Sequence, residues 1–358
     1  MQKFDWYIIK KFLGTFFFTL SLILIIVIIF DISEKIDDFL EHELSIKYII
    51  TKYYFNFIPF FGNLFSPLFI FISVIFFTSK MANNSEIIAI LNSGMSFNRL
   101  LRPFMISAIT LALLSFVLSN FIIPSANSKR INFENKYLKN KRYSTEKNIH
   151  LQILPGQYIY MQNFNSKRNI GYKFTLENFK DGALISKLRA DYIQFDSINQ
   201  KWQINNYEIR EFLEDKELIG KGRKLDTILN LYPREFTKRI SLVETMNIFE
   251  LDNYITEEEL KGSEQIIYHK IEKHKRNAFP FASIILTLIG VAIASRKIKG
   301  GTGIHLGIGI LIAFTYILFM QVSTTFATNS NLNPTLAVWI PNLFYILIAG
   351  ILLYKVPK

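Results

Sequence analysis

The sequence predicts an α-helical membrane protein with six transmembrane helices, grouped three and three, and a β jelly-roll-like domain inserted between the groups. Three observations predict it. Six apolar stretches carry no Asp, Glu, Lys or Arg near their centres, and each approaches the ~20 residues that cross about 30 Å of hydrocarbon at 1.5 Å per residue. A polar middle, long enough to bury a core of its own, reads as strands rather than helices. The short polar segments alternate in charge along the chain. The composition agrees: 50% of the 358 residues are hydrophobic, mean hydropathy is +0.22, and there are 34 Phe and 17 Tyr, too apolar for an ordinary soluble chain.

The first span is Phe12 to Phe30, without a charge. It is longer than the core of a secretory signal and no small-residue cleavage site follows it, so a cleavable leader is not expected. The second runs from about Phe55 to Phe77 and contains Asn56, Pro59, Asn63 and Pro67, residues tolerated where neighbouring helices satisfy the freed backbone. The third runs from Phe104 to Ile123, bracketed by Pro103 and Pro124. After the polar middle come Ala278 to Ala294, Gly303 to Val322 and about Leu336 to Leu353. The expected domains are therefore 1–124, 125–262 and 263–358, the first containing a short cytoplasmic helix within 80–98.

Segments on the side of the N-terminus carry Lys3, Lys10, Lys11, Lys80, Arg99, Arg102, Arg296, Lys297, Lys299, Lys355 and Lys358 against only Asp5 and Glu86. The segment after the first span carries Asp31, Glu34, Asp37, Asp38, Glu41 and Glu43 against Lys35, Lys47 and Lys52. The positive-inside rule then places both termini in the cytoplasm and the polar middle in the periplasm. That middle holds most of the bases but also most of the acids, so the net charge of +12 does not indicate nucleic-acid binding. Within it, Ile149 to Leu154, Gln157 to Phe164, Gly171 to Phe179, Ala183 to Phe195 and Trp202 to Phe212 read as strands of a β-sandwich or an open jelly-roll-like sheet. From Thr256 the period becomes helical. Thr256 with Glu259 resembles a capping box, and from Gln265 a helix continues into the fourth span.

Between the second and third spans lies SKMANNSEIIAILNSGMSFNRLLR, Ser79 to Arg102. Asn84 or Ser85 caps a helix with Glu86 in its first turn, and Gly94 ends it. Ile87, Ile88, Ile90 and Leu91 share one face, and Glu86, Ala89 and Ser93 the other. The helix is either an interfacial segment resting on lipid or a coupling helix gripped by an ATPase. On the outer side, Lys270, Lys273, Lys275 and Arg276 precede the fourth span against the usual charge bias, either snorkelling to lipid phosphates or meeting a phosphorylated lipid that leaves the bilayer.

Catalytic patterns are scarce. The absence of cysteine excludes thiolate chemistry and disulfides. The sequence has no P-loop, no G-x-S-x-G elbow and no H-E-x-x-H; Gly300, Gly301, Gly303, Gly307 and Gly309 suit close helix packing instead. His269 and His274 lie about 140° apart round a helix, unsuited to a shared metal. An integral-membrane enzyme acting on lipid or glycan is the alternative, with Asp191, Asp196, Glu208 and Glu211 as its candidate acids. With no charge at the span centres for ion coupling and no nucleotide site, a membrane protein of this kind must borrow its energy from another protein or use none.

The opening FDWYIIKKFLGTFFFTL, Ser85-Glu86 followed by Ser93-Gly94, Pro124, the run Asn277-Ala278-Phe279-Pro280-Phe281-Ala282, Ile289-Gly290-Val291 and Ala337-Val338-Trp339-Ile340-Pro341-Asn342 resemble the LptF/LptG (YjgP/YjgQ) family, most of all its LptG branch. The resemblance implies a non-catalytic permease of an ATP-driven exporter that takes lipopolysaccharide from the bacterial inner membrane. It implies an LptF-like permease as partner, with the first and fifth spans of each as lateral gates. It also implies an LptB-like cytoplasmic ATPase dimer that holds the ATP and Mg, no cofactor in this chain, and an LptC-like periplasmic bridge. Glu86, Ala89, Ser93 and Gly94 fall on the family's coupling helix. LptG proteins of some bacteria place lysines near the outer end of the first span; here Lys35 is the only base nearby, so the resemblance implies lipid-phosphate contacts at Lys35, Lys270, Lys273 and Arg276, or a less phosphorylated lipid A.

Overall fold

The structure is a computed structural model that describes residues 3–138, 147–165, 168–197, 199–213, 216–229, 231–233, 240–260, 265–296, 301–329 and 332–356. Among the described residues six helices are long and apolar enough to span a membrane: α1 (Lys3–Glu41), α2 (Ile46–Asn83), α4 (Phe97–Tyr137), α7 (Ile266–Ala294), α8 (Gly301–Asn329) and α9 (Pro334–Tyr354). The short α3 (Glu86–Asn92) joins α2 to α4, and α5 (Ile240–Val243) and α6 (Ile248–Leu260) follow the strands. In sequence, six strands of the described residues lie between the two groups of spans: β1 (Lys147–Leu154), β2 (Gln157–Asn165), β3 (Ile170–Lys180), β4 (Ala183–Asp196), β5 (Lys201–Leu213) and β6 (Lys216–Thr227). The chain packs as two compact units, one of 1–140, 244–251 and 267–358, the other of 141–243 and 252–266.

In the helical unit the helices outrun their apolar windows. The 39 residues of α1 reach nearly 60 Å at 1.5 Å per residue, so the acidic stretch after Phe30 is helix rather than loop. Pro103 and Pro124, read as brackets of the third span, both lie inside α4. A π-turn at Leu118–Ile122 immediately precedes Ile123 and Pro124, and such a bulge absorbs the missing N–H and the clash of a proline ring. A second π-turn, Ile50–Tyr54, lies in α2. Thr256, expected to cap a helix, sits within α6 and donates to the Asp252 carbonyl. The capping box is nine residues earlier: Asn247 Oδ1 accepts from the Glu250 N–H at 3.0 Å and Glu250 Oε2 accepts from the Asn247 N–H at 2.9 Å.

Among the described residues three apolar clusters hold the bundle: a small one of Phe39 of α1, Tyr53 and Phe57 of α2 and Phe133 of α4, and two larger ones. One joins Phe71 and Ile75 of α2 to Leu286 and Ile289 of α7, Tyr316 of α8 and Tyr345 of α9. The other joins Ile8 and Phe12 of α1 to Val74 of α2, Ile87 of α3 and Leu100 and Phe104 of α4. Two glycines permit close approach: a Cβ on Gly290 would meet Val74 and Phe71, and one on Gly309 would meet Ile75.

The β unit is an open antiparallel meander in which each strand pairs with its sequence neighbours, in the order β1-β2-β3-β4-β5-β6. The expected open sheet is therefore present, and it is not closed. One face carries Ile159, Met161, Phe164, Phe174, Ile193, Trp202 and Ile204, all buried. β6 is an addition to the expected strands; Gly222 leaves room there for the Tyr207 ring of β5.

Candidate functional site

The polar segment between α2 and α4 folds as its sequence requires. Ser85 takes the left-handed conformation (φ +60°), α3 follows, and Gly94 (φ +85°) turns the chain out of it. Ser96 then caps α4, its hydroxyl accepting from the Arg99 N–H at 3.3 Å. Ser85 makes no side-chain cap; Asn84 Nδ2 instead donates to Glu86 Oε1 at 3.1 Å. Ile87 is 2% exposed and anchors the helix in the bundle, with Ile90 and Leu91 half-buried beside it. Ile88 departs from the expected apolar face: it points outward, 47% exposed. Ala89, Asn92, Ser93 and Gly94 are also exposed and Glu86 is half-buried. A patch with an isoleucine at its centre and a carboxylate at its edge suits contact with protein better than with water.

Two polar links flank α3, and neither partner residue stood out in the sequence. Asn83 Nδ2 donates to Thr302 Oγ1 in the first turn of α8, at 3.1 Å. Arg99 Nη1 and Nη2 donate to the two oxygens of Asp5 in the first turn of α1, at 2.5 and 2.8 Å, and Asp5 is only 5% exposed. The one signal was Asp5 itself, a lone acid among Lys3, Lys10 and Lys11.

At the opposite ends of these helices the expected bases have different surroundings. Lys35 ion-pairs with Asp31 and donates to Tyr53, while Tyr54 donates to Asp31 Oδ2 at 3.1 Å. Arg276 is 7% exposed; its Nε donates to Glu272 Oε1 at 3.0 Å and its Nη1 to the Met246 carbonyl at 2.6 Å. Lys270 and Lys273 are half-buried on α7. Arg276 lines a cavity of about 170 Å³ together with Asn63, Asn127, Glu244, Glu272 and Lys275. Burial, reinforced by the Glu272 carboxylate, pushes the Glu244 carboxyl above the usual carboxylate range.

The candidate acids of an enzyme are spread over the sheet, and three of them are held by neighbouring side chains or backbone. Glu208 pairs with Arg210 at 2.8 Å and Lys221 at 3.1 Å, Asp191 accepts from Asn206 at 3.1 Å, and Asp196 holds the turn to Asn199. Glu211 stands opposite Ser186 in the ladder. They form the solvated charge pattern of a sheet, not a convergent pair aimed into a cleft.

Six apolar helices long enough to cross a membrane, three before and three after an inserted sheet among the described residues, define a multi-span membrane protein. The family model for the lipopolysaccharide export system permease LptF/LptG matches residues 6–355. The chain belongs to that family and is a multi-pass inner-membrane permease of the lipopolysaccharide export system. Comparison with curated proteins finds none that matches.

Proposed function

We propose that the chain is the LptG-like subunit of an ATP-driven exporter that extracts lipopolysaccharide from the inner membrane and passes it through the β unit towards the outer membrane. An LptF-like permease pairs with it, an LptB-like ATPase dimer carrying ATP and Mg drives the pair from the cytoplasm, and an LptC-like protein receives the lipid. Both termini and α3 face the cytoplasm in this reading, and the sheet faces the periplasm. The observation that carries it is the outward face of α3, with Ile88, Ala89 and Ser93 exposed beside Glu86. Glu86 meets a basic group of the ATPase there, with Gly94 closing the contact. Lys270 and Lys273, partly exposed on α7, meet phosphates of the lipid; Arg276 and Lys35, held by internal carboxylates, support that end of the bundle and add to its positive field.

Affinity purification of the Glu86→Lys chain beside the wild type tests the reading. Truncating one side of a buried interfacial charge pair costs about 2 to 5 kcal/mol, and reversal costs at least as much, so the ATPase recovered should fall by well over tenfold. Equal recovery with both chains would overturn the assignment of α3.

A further inference from the structure

The links on either side of α3 have a geometry that packing alone does not require. Only residues 84 and 85 separate α3 from α2, and only 93 to 96 separate it from α4. A displacement of α3 is therefore loaded at once onto Asn83 and onto the first turn of α4. Each of these positions bonds to a different, distant helix: Asn83 to Thr302 at the start of α8, and Arg99 to Asp5 at the start of α1. Those two helices are the least enclosed of the six spans. Within their most apolar windows 17% of α1 and 28% of α8 is buried, against 67% for α7.

We propose that Asp5–Arg99 and Asn83–Thr302 are a pair of struts that convert movement of α3 into movement of α1 and α8. The inference rests on the reading of α3 as the motor contact. Apolar neighbours such as Ile87, Ile8 and Leu100 hold α3 close to the bundle but resist sliding weakly, because dispersion contacts have little directional preference. A bidentate guanidinium–carboxylate pair fixes both distance and angle. The Asp5–Arg99 strut therefore transmits both push and twist to α1, while the single hydrogen bond from Asn83 to Thr302 transmits less to α8. All four are positioning residues: they act through the helices and touch neither lipid nor nucleotide.

The test uses the whole complex of permease pair and ATPase in liposomes containing lipopolysaccharide, with ATP hydrolysis and lipid release measured on the same sample. Arg99→Lys keeps the charge but loses the fork, and Thr302→Val keeps the shape but loses the acceptor. Mutations along a coupling route change it by about 2- to 30-fold. The expected result is a fall of roughly tenfold in lipid released per ATP for Arg99→Lys and about two- to threefold for Thr302→Val, with hydrolysis within about twofold of wild type. The exchange Asp5→Arg with Arg99→Asp should recover most of the ratio. An unchanged ratio in both single variants, including one where hydrolysis and release fall in parallel, would overturn the struts and reduce the four residues to a stabilising role. A wild-type chain that fails to recruit the ATPase would remove the motor contact itself, an outcome read before any variant is compared.

Discussion

The sheet and the helical bundle sort the same side chains in opposite ways. Along β2, Ile159, Met161 and Phe164 are buried while Tyr158 and Gln162 are exposed, so burial follows polarity. In the bundle Asn63, Ser73, Thr78, Ser107, Asn120 and Asn342 are buried, whereas Phe18, Ile25, Phe30, Leu311 and Leu347 lie open. Water is the solvent that selects the first pattern and lipid the second. Lipid provides no hydrophobic drive between helices, so small residues and polar bridges take over. Asn63 illustrates this, donating to Ser119 Oγ at 2.9 Å and accepting from Ser115 Oγ at 2.7 Å.

If the contrast is correct, the largest single loss of stability should come from an aromatic residue of the sheet. Trp202 is 1% exposed, packs edge-on to Phe195 at a centroid distance of 5.0 Å, and donates its indole N–H to the Leu231 carbonyl at 2.8 Å. Trp202→Ala is expected to cost about 3 to 5 kcal/mol, since neither the ring volume nor the orphaned carbonyl is replaced. Limited proteolysis of the full chain in detergent would read it as early cleavage within 147–227. Resistance equal to that of wild type would mean that the sheet is not held by a water-excluded core.

A polar residue of the bundle should yield a smaller effect. Asn342 accepts from the Tyr316 hydroxyl at 2.8 Å and donates to the Ala278 carbonyl at 3.0 Å, joining α9 to α8 and α7. Hydrogen bonds between membrane helices average about 0.6 kcal/mol and reach roughly 1.7, so Asn342→Leu should destabilise by only about 1 to 2 kcal/mol in a denaturant titration in mixed micelles. A loss as large as that of Trp202→Ala would show that this part of the bundle behaves as a water-soluble core.

The same division explains what could be read from the sequence. The six spans were legible because length without charge is a demand of the bilayer, and β1 to β5 were legible from alternation and turn residues. β6 was not: KELIGKGRKLDT is charged on both faces and carries two glycines, as edge strands do when they must avoid further pairing. The continuation of α4 to Tyr137 was hidden because a proline reads as a stop unless the π-turn before it is known. Thr256-x-x-Glu259 and Asn247-x-x-Glu250 both fit the capping pattern, and only packing chooses between them. At the candidate site the ends of α3 were legible from Glu86 and Gly94. The outward turn of Ile88 was not, because which apolar residue of a two-turn helix goes inward is set by Phe97 and Leu100 beyond it. The Asp5–Arg99 pair spans 94 positions, and no local pattern records such a distance.

The smallest expected effects concern two carboxylates, and they sharpen the contrast because their signs differ. On the sheet, Glu208 is hydrogen-bonded by Arg210 and then Lys221, which holds its carboxyl below the usual range. In the helical unit, Glu244 is raised, first by burial and then by Glu272. A lowered carboxyl pKa contributes stability above the unfolded value, near pH 4.3, and that contribution is lost as pH falls through the folded value. A raised one does the reverse: the folded protein holds its proton longer, and stability declines as pH climbs from the unfolded value through the folded one. Glu208→Gln should therefore lower the melting temperature at neutral pH, and Glu244→Gln should raise it. The Glu244 difference should vanish below the unfolded carboxylate pKa and the Glu208 difference only below its own, lower folded value, where Glu and Gln are alike uncharged. Thermal unfolding of the full chain in detergent across this range measures both. Shifts of the same sign would mean that the two regions do not impose different solvents on their charges, because only a region that withholds water can make an ionised glutamate a burden to the fold.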